Sequence, residues 1–297
     1  MAAVPSGGPA DPHRRSHLES DIVRRYHVLE KGLSMPEFRP GFGIPMVRDL
    51  MNNLAEWESS GFPIHGQIES AKAVLRSYRE RHELLKFDLE GLFDGVDLGG
   101  PSQDGSGGVR IYRPVTPELG DAFQEVVFSR ASVRTFDMER VPDQKLLLEA
   151  VKMATRSPSV CNRQTGRIHC YTGDEVPRLL EFQNGNRGFG HRVPVLFAIT
   201  SDLRFFTGVD ERNQGWIDGG MFAMLFLLAL HSKGLGAVSL NWSVRNARDE
   251  QLRKAGKIPD HERIIMLIGC GFPEEDAEVP CSQRRPPDEI ISFHEPS

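Results

Sequence analysis

Hydrophobic positions recur at two different intervals along this chain of 297 residues. In the first third they keep helical spacing. Leu18, Ile22, Tyr26 and Leu29 share one face of "HLESDIVRRYHVLEKGLSM". The segment "PEFRPGFGIP" then interrupts with three prolines and two glycines. A second apolar stripe follows, Val47, Leu50, Met51, Leu54 and Trp57, and stops at Gly61. A third helix is predicted over "QIESAKAVLRSYRERHELL", with Ile68, Val74, Leu75, Tyr78 and Leu85 facing inward.

Past a stretch dense in Gly, Ser and Asp, "GVDLGGPSQDGSGG", the pattern changes. Helices are predicted over "DAFQEVVFSR", "PDQKLLLEAVKMAT" and "DEVPRLLEFQN", and "GRIHCYTG" alternates like a strand. The continuous apolar run "VPVLFAITSD" suits a central strand covered on both faces. "GWIDGGMFAMLFLLALHSKGLGA" is apolar nearly all round and predicts a helix buried in the core or at a subunit interface, stopped at Gly234 and Gly236. "AVSLNW" and "RIIMLIGCGF" complete the strands. The result is a small sheet flanked by helices, of α+β or α/β layering. The expected organisation is a disordered tail over 1–16, a helical extension over 17–92, a linker over 93–120 and a main domain over 121–297.

Composition changes this picture little. At 39% hydrophobic and 26% charged the chain reads as globular, and a net charge of −5 argues against a general nucleic-acid binder. The four cysteines show neither CxxC pairing nor histidines at metal spacing, so they are expected to be reduced thiols. No apolar run reaches the roughly 18 to 20 residues of a membrane span. The N-terminus lacks an apolar signal core, so the expected location is cytoplasmic.

Three polar clusters are candidates for chemistry. In "SRASVRTFD", Arg130, Ser132 and Arg134 alternate, so an extended backbone would project all three from one face. Two guanidiniums and a hydroxyl there suit an anion, although a solvated edge strand is the ordinary explanation. Ser282 and Arg284 alternate again in "CSQRRPPDEI", and Asn184 and Arg187 sit in the glycine-rich "FQNGNRGFGHR". That loop fails both the Walker A and the dinucleotide fingerprints. In "SPSVCNRQTG", Cys161 lies beside Arg163, which could lower a thiol pKa, but no histidine stands in register nearby. There is no GxSxG and no HExxH.

Taken in order, "SRASVRTFD", "SPSVCNRQTG", "DGGMFAMLFLLALHSKGLGAVSLNW", "IGCGFPEE" and "RRPPDEI" resemble the nitroreductase family of FMN-dependent oxidoreductases. The resemblance runs over about residues 122 to 293. It implies an α+β fold that forms a homodimer, with FMN held at the subunit interface and NAD(P)H as co-substrate. By position it implies that Arg130 and Ser132, joined by Ser282 and Arg284, hold the FMN phosphate. Arg134 falls where the family places a cation at the flavin edge, stabilising negative charge on the reduced ring. Pro158, Ser159 and Asn162 match the loop that reaches the flavin of the other subunit. Asn184 and Arg187 match a flavin-edge pair, and Val238, Ser239 and Leu240 fall where backbone faces the ring.

Two departures stand out. Relatives often continue Asn-x-Gln with Pro-Trp, whereas Thr165-Gly166 stand here, on what is expected to be the substrate side. The segment "HVLEKGLSMPEFRPGFG" belongs to an extension that compact members lack. The expected activity is ping-pong hydride transfer from NAD(P)H to an electron-poor acceptor such as a nitroaromatic or quinone. A flavin-dependent dehydrogenase or dehalogenase of a specialised metabolite, and a non-catalytic module binding a partner, are the alternatives. Neither a metal, nor nucleic acid, nor a membrane is expected.

Overall fold

The computed structural model describes residues 12–100 and 107–294. Its first unit is a three-helix bundle of α1 (Pro12–Leu33), α2 (Ile44–Ser59) and α3 (Gly66–Leu84). The predicted stripes form its core: Ile22, Leu29, Leu50, Trp57, Ile68 and Tyr78 are all fully buried. Between α1 and α2 the chain folds back tightly because Gly32 has no side chain. The ring of Phe42 occupies the space a Cβ there would need.

Two expected boundaries shift. The tail was expected to reach residue 16, but α1 begins at Pro12, a residue suited to a first helical turn. The Ser16 hydroxyl donates to the Pro12 carbonyl at 3.0 Å, and Arg14 pairs with Glu56 at 2.7 Å, drawing that turn onto the bundle. Residues 1–11 lie outside the described residues. Leu85 was expected inward but is half-exposed, because α3 has ended at Leu84 and the stripe's register ends with it. The bundle core also takes in Leu98, inside the expected linker, of which residues 101–106 lie outside the described residues.

The second unit opens with α4 (Pro117–Ser129), which starts within the expected linker, and α5 (Gln144–Ala154). Then come β1 (Gly166–Thr172), α6 (Glu175–Leu180), β2 (Val195–Asp202), α7 (Gln214–Ser232), β3 (Gly236–Asn241), α8 (Asn246–Gly256) and β4 (Glu262–Gly271). The strands form one antiparallel sheet in the order β1-β2-β4-β3. Every residue of β2 is buried, as its unbroken apolar run requires. Val195, Phe197 and Ile199 pack with α5 and α7, while Leu196 and Ala198 pack with α6 and α8 on the other face. The fold is α+β.

The helix α8 is absent from the hydrophobic pattern. Only Leu252, Arg253 and Gly256 are buried in it, too few to print a stripe. By length and apolar content Val209–Ser232 could cross a membrane, but Ala223, Phe226, Ala229 and Leu230 are core residues of this fold. Nor is α7 buried all round: Trp216, Ile217, Met221 and Met224 are exposed. On α4, which has no buried residue, Leu119, Phe123 and Phe128 are exposed too.

Candidate functional site

Two sets of predicted residues lie at opposite edges of the sheet. Beyond α4 the chain runs extended along β3, where Ser132 bridges Ala237 in parallel and the Val133 amide donates to the Ala237 carbonyl at 3.1 Å. Gly236 permits this approach, since a Cβ there would meet Val133 at 2.9 Å. The bridge brings the Arg130–Arg134 segment alongside Val238, Ser239 and Leu240, of which Val238 and Leu240 are buried and Ser239 is exposed. Arg134 is exposed, donates to the Ser132 carbonyl at 3.2 Å and stands 5.8 Å from the centre of the Phe189 ring.

Among the described residues neither Arg130 nor Arg134 has a carboxylate within ion-pair distance. Burial, and then the Arg130 charge, hold the nearby His231 below the usual imidazole value. Among the described residues no carboxylate therefore compensates this positive charge. With the Ser132 hydroxyl, these guanidiniums have the donor chemistry of a phosphate site.

The loop carrying Asn184 and Arg187 is fastened to the same edge by Gln183. Its side chain, 5% exposed, donates to the Asn241 carbonyl at 3.0 Å and accepts from the Gly185 amide. Asn186 turns inward to the carbonyls of Leu180 and Gln183, at 2.8 and 2.6 Å. Asn184 and Arg187 remain exposed. Gln183 escaped the sequence reading because its partner lies far along the chain, and nothing local marks it. Ser282 and Arg284 are exposed in the C-terminal segment, where Arg284 donates to the Ser282 carbonyl at 2.5 Å. No hydrogen bond or ion pair among the described residues joins them to Arg130 or Ser132.

At the other edge, residues 157–164 lead into β1. Three non-glycine residues in a row of four take left-handed backbone, Cys161 at φ 47°, Asn162 at 55° and Gln164 at 51°. Each such residue costs on the order of 1 kcal/mol, so the loop must be held from outside. It is held at several points. The Ser159 hydroxyl accepts from the Gln164 amide at 2.9 Å, and the Val160 amide donates to the buried Asp218 carboxylate at 3.1 Å. Arg163, 2% exposed, donates to the Phe205 carbonyl at 2.9 Å and forms a two-pronged pair with Glu211. That guanidinium pulls the Glu211 carboxyl down to about 2.

These commitments answer the cysteine question. Arg163 points into Glu211 and not toward the Cys161 thiol, and His169 is bonded to Glu262 at 2.7 Å. Asn162 accepts from Gln164 at 3.2 Å, and the turn that carries it packs against α1. Pro158 and Ser159 stand at the wall of a cavity of about 660 Å³ between α5 and β1, lined also by Leu147, Ile168, Phe197 and Phe222.

The Thr165-Gly166 departure now has a packing explanation. Thr165 is fully buried with its hydroxyl 2.9 Å from that of Ser201. A Cβ at Gly166 would lie 2.8 Å from the Phe222 ring, so Phe222 fills the space of a larger residue.

In the order β1-β2-β4-β3 the two clusters flank the outermost strands, separated by roughly 14 Å across the sheet. A single chain thus keeps the two clusters apart.

Comparison with known proteins agrees with this architecture. The model of the nitroreductase family matches residues 127–183 and 166–272. Human iodotyrosine deiodinase 1 is 24% identical over 201 residues, covering 57% of this chain and 67% of that protein. A nitroreductase family protein from Streptococcus pneumoniae TIGR4 has the same fold at 21% identity and a TM-score of 0.51, covering 58% of this chain and 100% of that one. So does a Desulfovibrio desulfuricans protein described as a nitroreductase in complex with FMN, at 19% identity and a TM-score of 0.50, covering 62% and 99%. The chain carries a nitroreductase-family domain, matched over residues 127–272, and a three-helix N-terminal bundle stands ahead of it.

Proposed function

We propose that the chain is an FMN-dependent oxidoreductase that takes a hydride from NAD(P)H and passes it to an electron-poor small molecule. The observation that carries this reading is the Arg130, Ser132 and Arg134 set beside β3, positive and without a carboxylate partner among the described residues. The nitroreductase-family domain and the FMN held by the Desulfovibrio relative support a flavin as the group that occupies it. When bound, FMN would supply a ring able to accept and return a hydride.

The protein's own contribution is binding and electrostatics. Arg130 and Ser132 hold a phosphate through charge-assisted hydrogen bonds, with Ser282 and Arg284 as further donors from the C-terminal segment. Arg134 sets a fixed positive charge at the ligand edge, favouring whichever state carries more negative charge. Asn184 and Arg187 offer exposed polar groups from the loop that Gln183 fastens to β3. Val238, Ser239 and Leu240 offer backbone groups to the ring, while the side chains of Val238 and Leu240 stay in the core.

The other partial site, Pro158, Ser159 and Asn162, completes the first when supplied by a second copy. Exposed Leu119, Phe123 and Phe128 on α4, with Trp216 and Ile217 on α7, support such a homodimer, because apolar surface of this size favours association.

The test is optical. The purified protein should be yellow and should bleach anaerobically with NADH or NADPH, and varying both substrates should give the parallel double-reciprocal lines of a two-step cycle. A colourless chain that refuses added FMN would overturn the reading in favour of a non-catalytic module. A second acceptor class is favoured by one finding, the similarity to iodotyrosine deiodinase 1. Faster turnover of a halogenated phenol than of a nitroaromatic or quinone would select reductive dehalogenation.

A further inference from the structure

The N-terminal bundle touches the second unit where the strained loop is held. Helix α1 packs against the turn Val160–Asn162 and against the turn Leu203–Phe205. The contact has two polar junctions. The Ser20 hydroxyl, 1% exposed, donates to the Phe205 carbonyl at 2.8 Å, and the same carbonyl accepts from Arg163 at 2.9 Å. Tyr26, 2% exposed on the same helix, donates to Gln67 Oε1 on α3, and the nearby Asn162 side chain offsets part of the rise that burial gives its hydroxyl. The Tyr26 hydroxyl thus joins α1 to α3 beside the loop against which α1 packs.

We infer that the bundle is a built-in part of the flavin site, with Ser20 and Tyr26 acting as positioning residues for the loop 158–164. The inference rests on the flavin reading of that loop. The physical need is clear from the backbone: Cys161, Asn162 and Gln164 hold left-handed conformations that an unsupported loop would leave. From the second unit itself the loop is tied by Asp218 and Glu211, which reach Val160 and Arg163. Asn162, between them, is held by its own amide on the Ser159 carbonyl at 3.0 Å and by Gln164, and among the described residues no side chain of the second unit outside the loop bonds it. Removing the bundle's hydroxyls therefore loosens the loop around Asn162. The extension is then neither an appended partner-binding domain nor a distant cap.

Three variants of the full chain test this. Tyr26→Phe and Ser20→Ala remove single hydroxyls while keeping the packing. Tyr78→Phe is the control, since that hydroxyl donates to the Phe42 carbonyl at 2.5 Å inside the same bundle. Amide exchange across residues 158–166 is measured in the apoprotein, and FMN affinity by titration into it. The double variant Ser20→Ala, Tyr26→Phe should exchange faster across the loop and bind FMN about tenfold more weakly, as expected for losing two modest hydrogen bonds. Tyr78→Phe should lower thermal stability and leave both readouts at parental values.

Parental exchange and affinity in the double variant would overturn the inference. So would equal changes in Tyr78→Phe, which would reduce the effect to general loosening of the bundle. If the parent itself takes up no FMN, the flavin reading fails. Loop exchange still decides whether the bundle holds the loop.

Discussion

Glu211→Gln is expected to destabilise the protein by about 3 kcal/mol, the scale for leaving a buried charge without its partner. The Arg163 side chain is 1% exposed and, once the carboxylate is gone, its charge is left with neutral partners, among them the carbonyls of Val160 and Phe205 and the Phe206 ring at 5.2 Å. Water reaches Glu211, at 25% exposure, more easily than Arg163, so the loss falls mainly on the arginine. The same pair anchors the loop with three left-handed residues, so its rupture also releases that strained backbone.

The pH dependence has a definite sign. The Glu211 carboxyl titrates at about 2 in the fold against 4.5 in the unfolded chain, because Arg163 hydrogen-bonds its charged form. A depressed value means that the stabilisation is fully present above pH 4.5 and is lost as pH falls toward 2. Urea unfolding between pH 5 and pH 2 should therefore show the parent losing stability more steeply than the glutamine variant. Parallel curves would refute the assignment.

Arg134→Ala is expected to slow the NAD(P)H half-reaction by roughly a hundredfold, the usual scale for deleting one preorganised charge or donor at a developing anion. Flavin retention should fall much less, because Arg130 and Ser132 remain to hold the phosphate. Arg134→Lys should recover most of the rate, since the role asks for charge at one edge and not for a bidentate fork. Anaerobic stopped-flow at the flavin absorbance measures each variant. A parental reduction rate in Arg134→Ala would remove Arg134 from the chemistry, even if FMN remained bound.

Much of the fold is legible from periodicity, for stated reasons. Leu18, Ile22, Tyr26 and Leu29 face one core, so their spacing reports it. The strand β2 is covered on both faces, so its apolar run is continuous. Where burial depends on few residues, as in α8, the pattern says nothing. Where an apolar face stays exposed, as at Trp216 and Met221 on α7, the pattern overstates burial.

The site divides the same way. Arg130, Ser132 and Arg134 can be read because an extended backbone turns simple alternation into a shared face. Tyr26 reads as one more core residue of a helical stripe, and its hydroxyl's bond to Gln67, 41 residues further on, is a tertiary fact. Arg163 next to Cys161 suggested thiol chemistry, whereas its partner Glu211 stands 48 residues further on. Long-range partners of buried polar groups are what local spacing cannot carry.

The separation of the two clusters across the sheet has a thermodynamic consequence. On the two-chain reading, FMN contacts both copies at once and favours the assembled state over the free chain. Linkage then makes each event tighten the other: added FMN lowers the dissociation constant of the pair, and raising protein concentration lowers that of FMN. Flavin loss on dilution becomes a measure of assembly, so cofactor occupancy in a cell would follow the abundance of the chain itself.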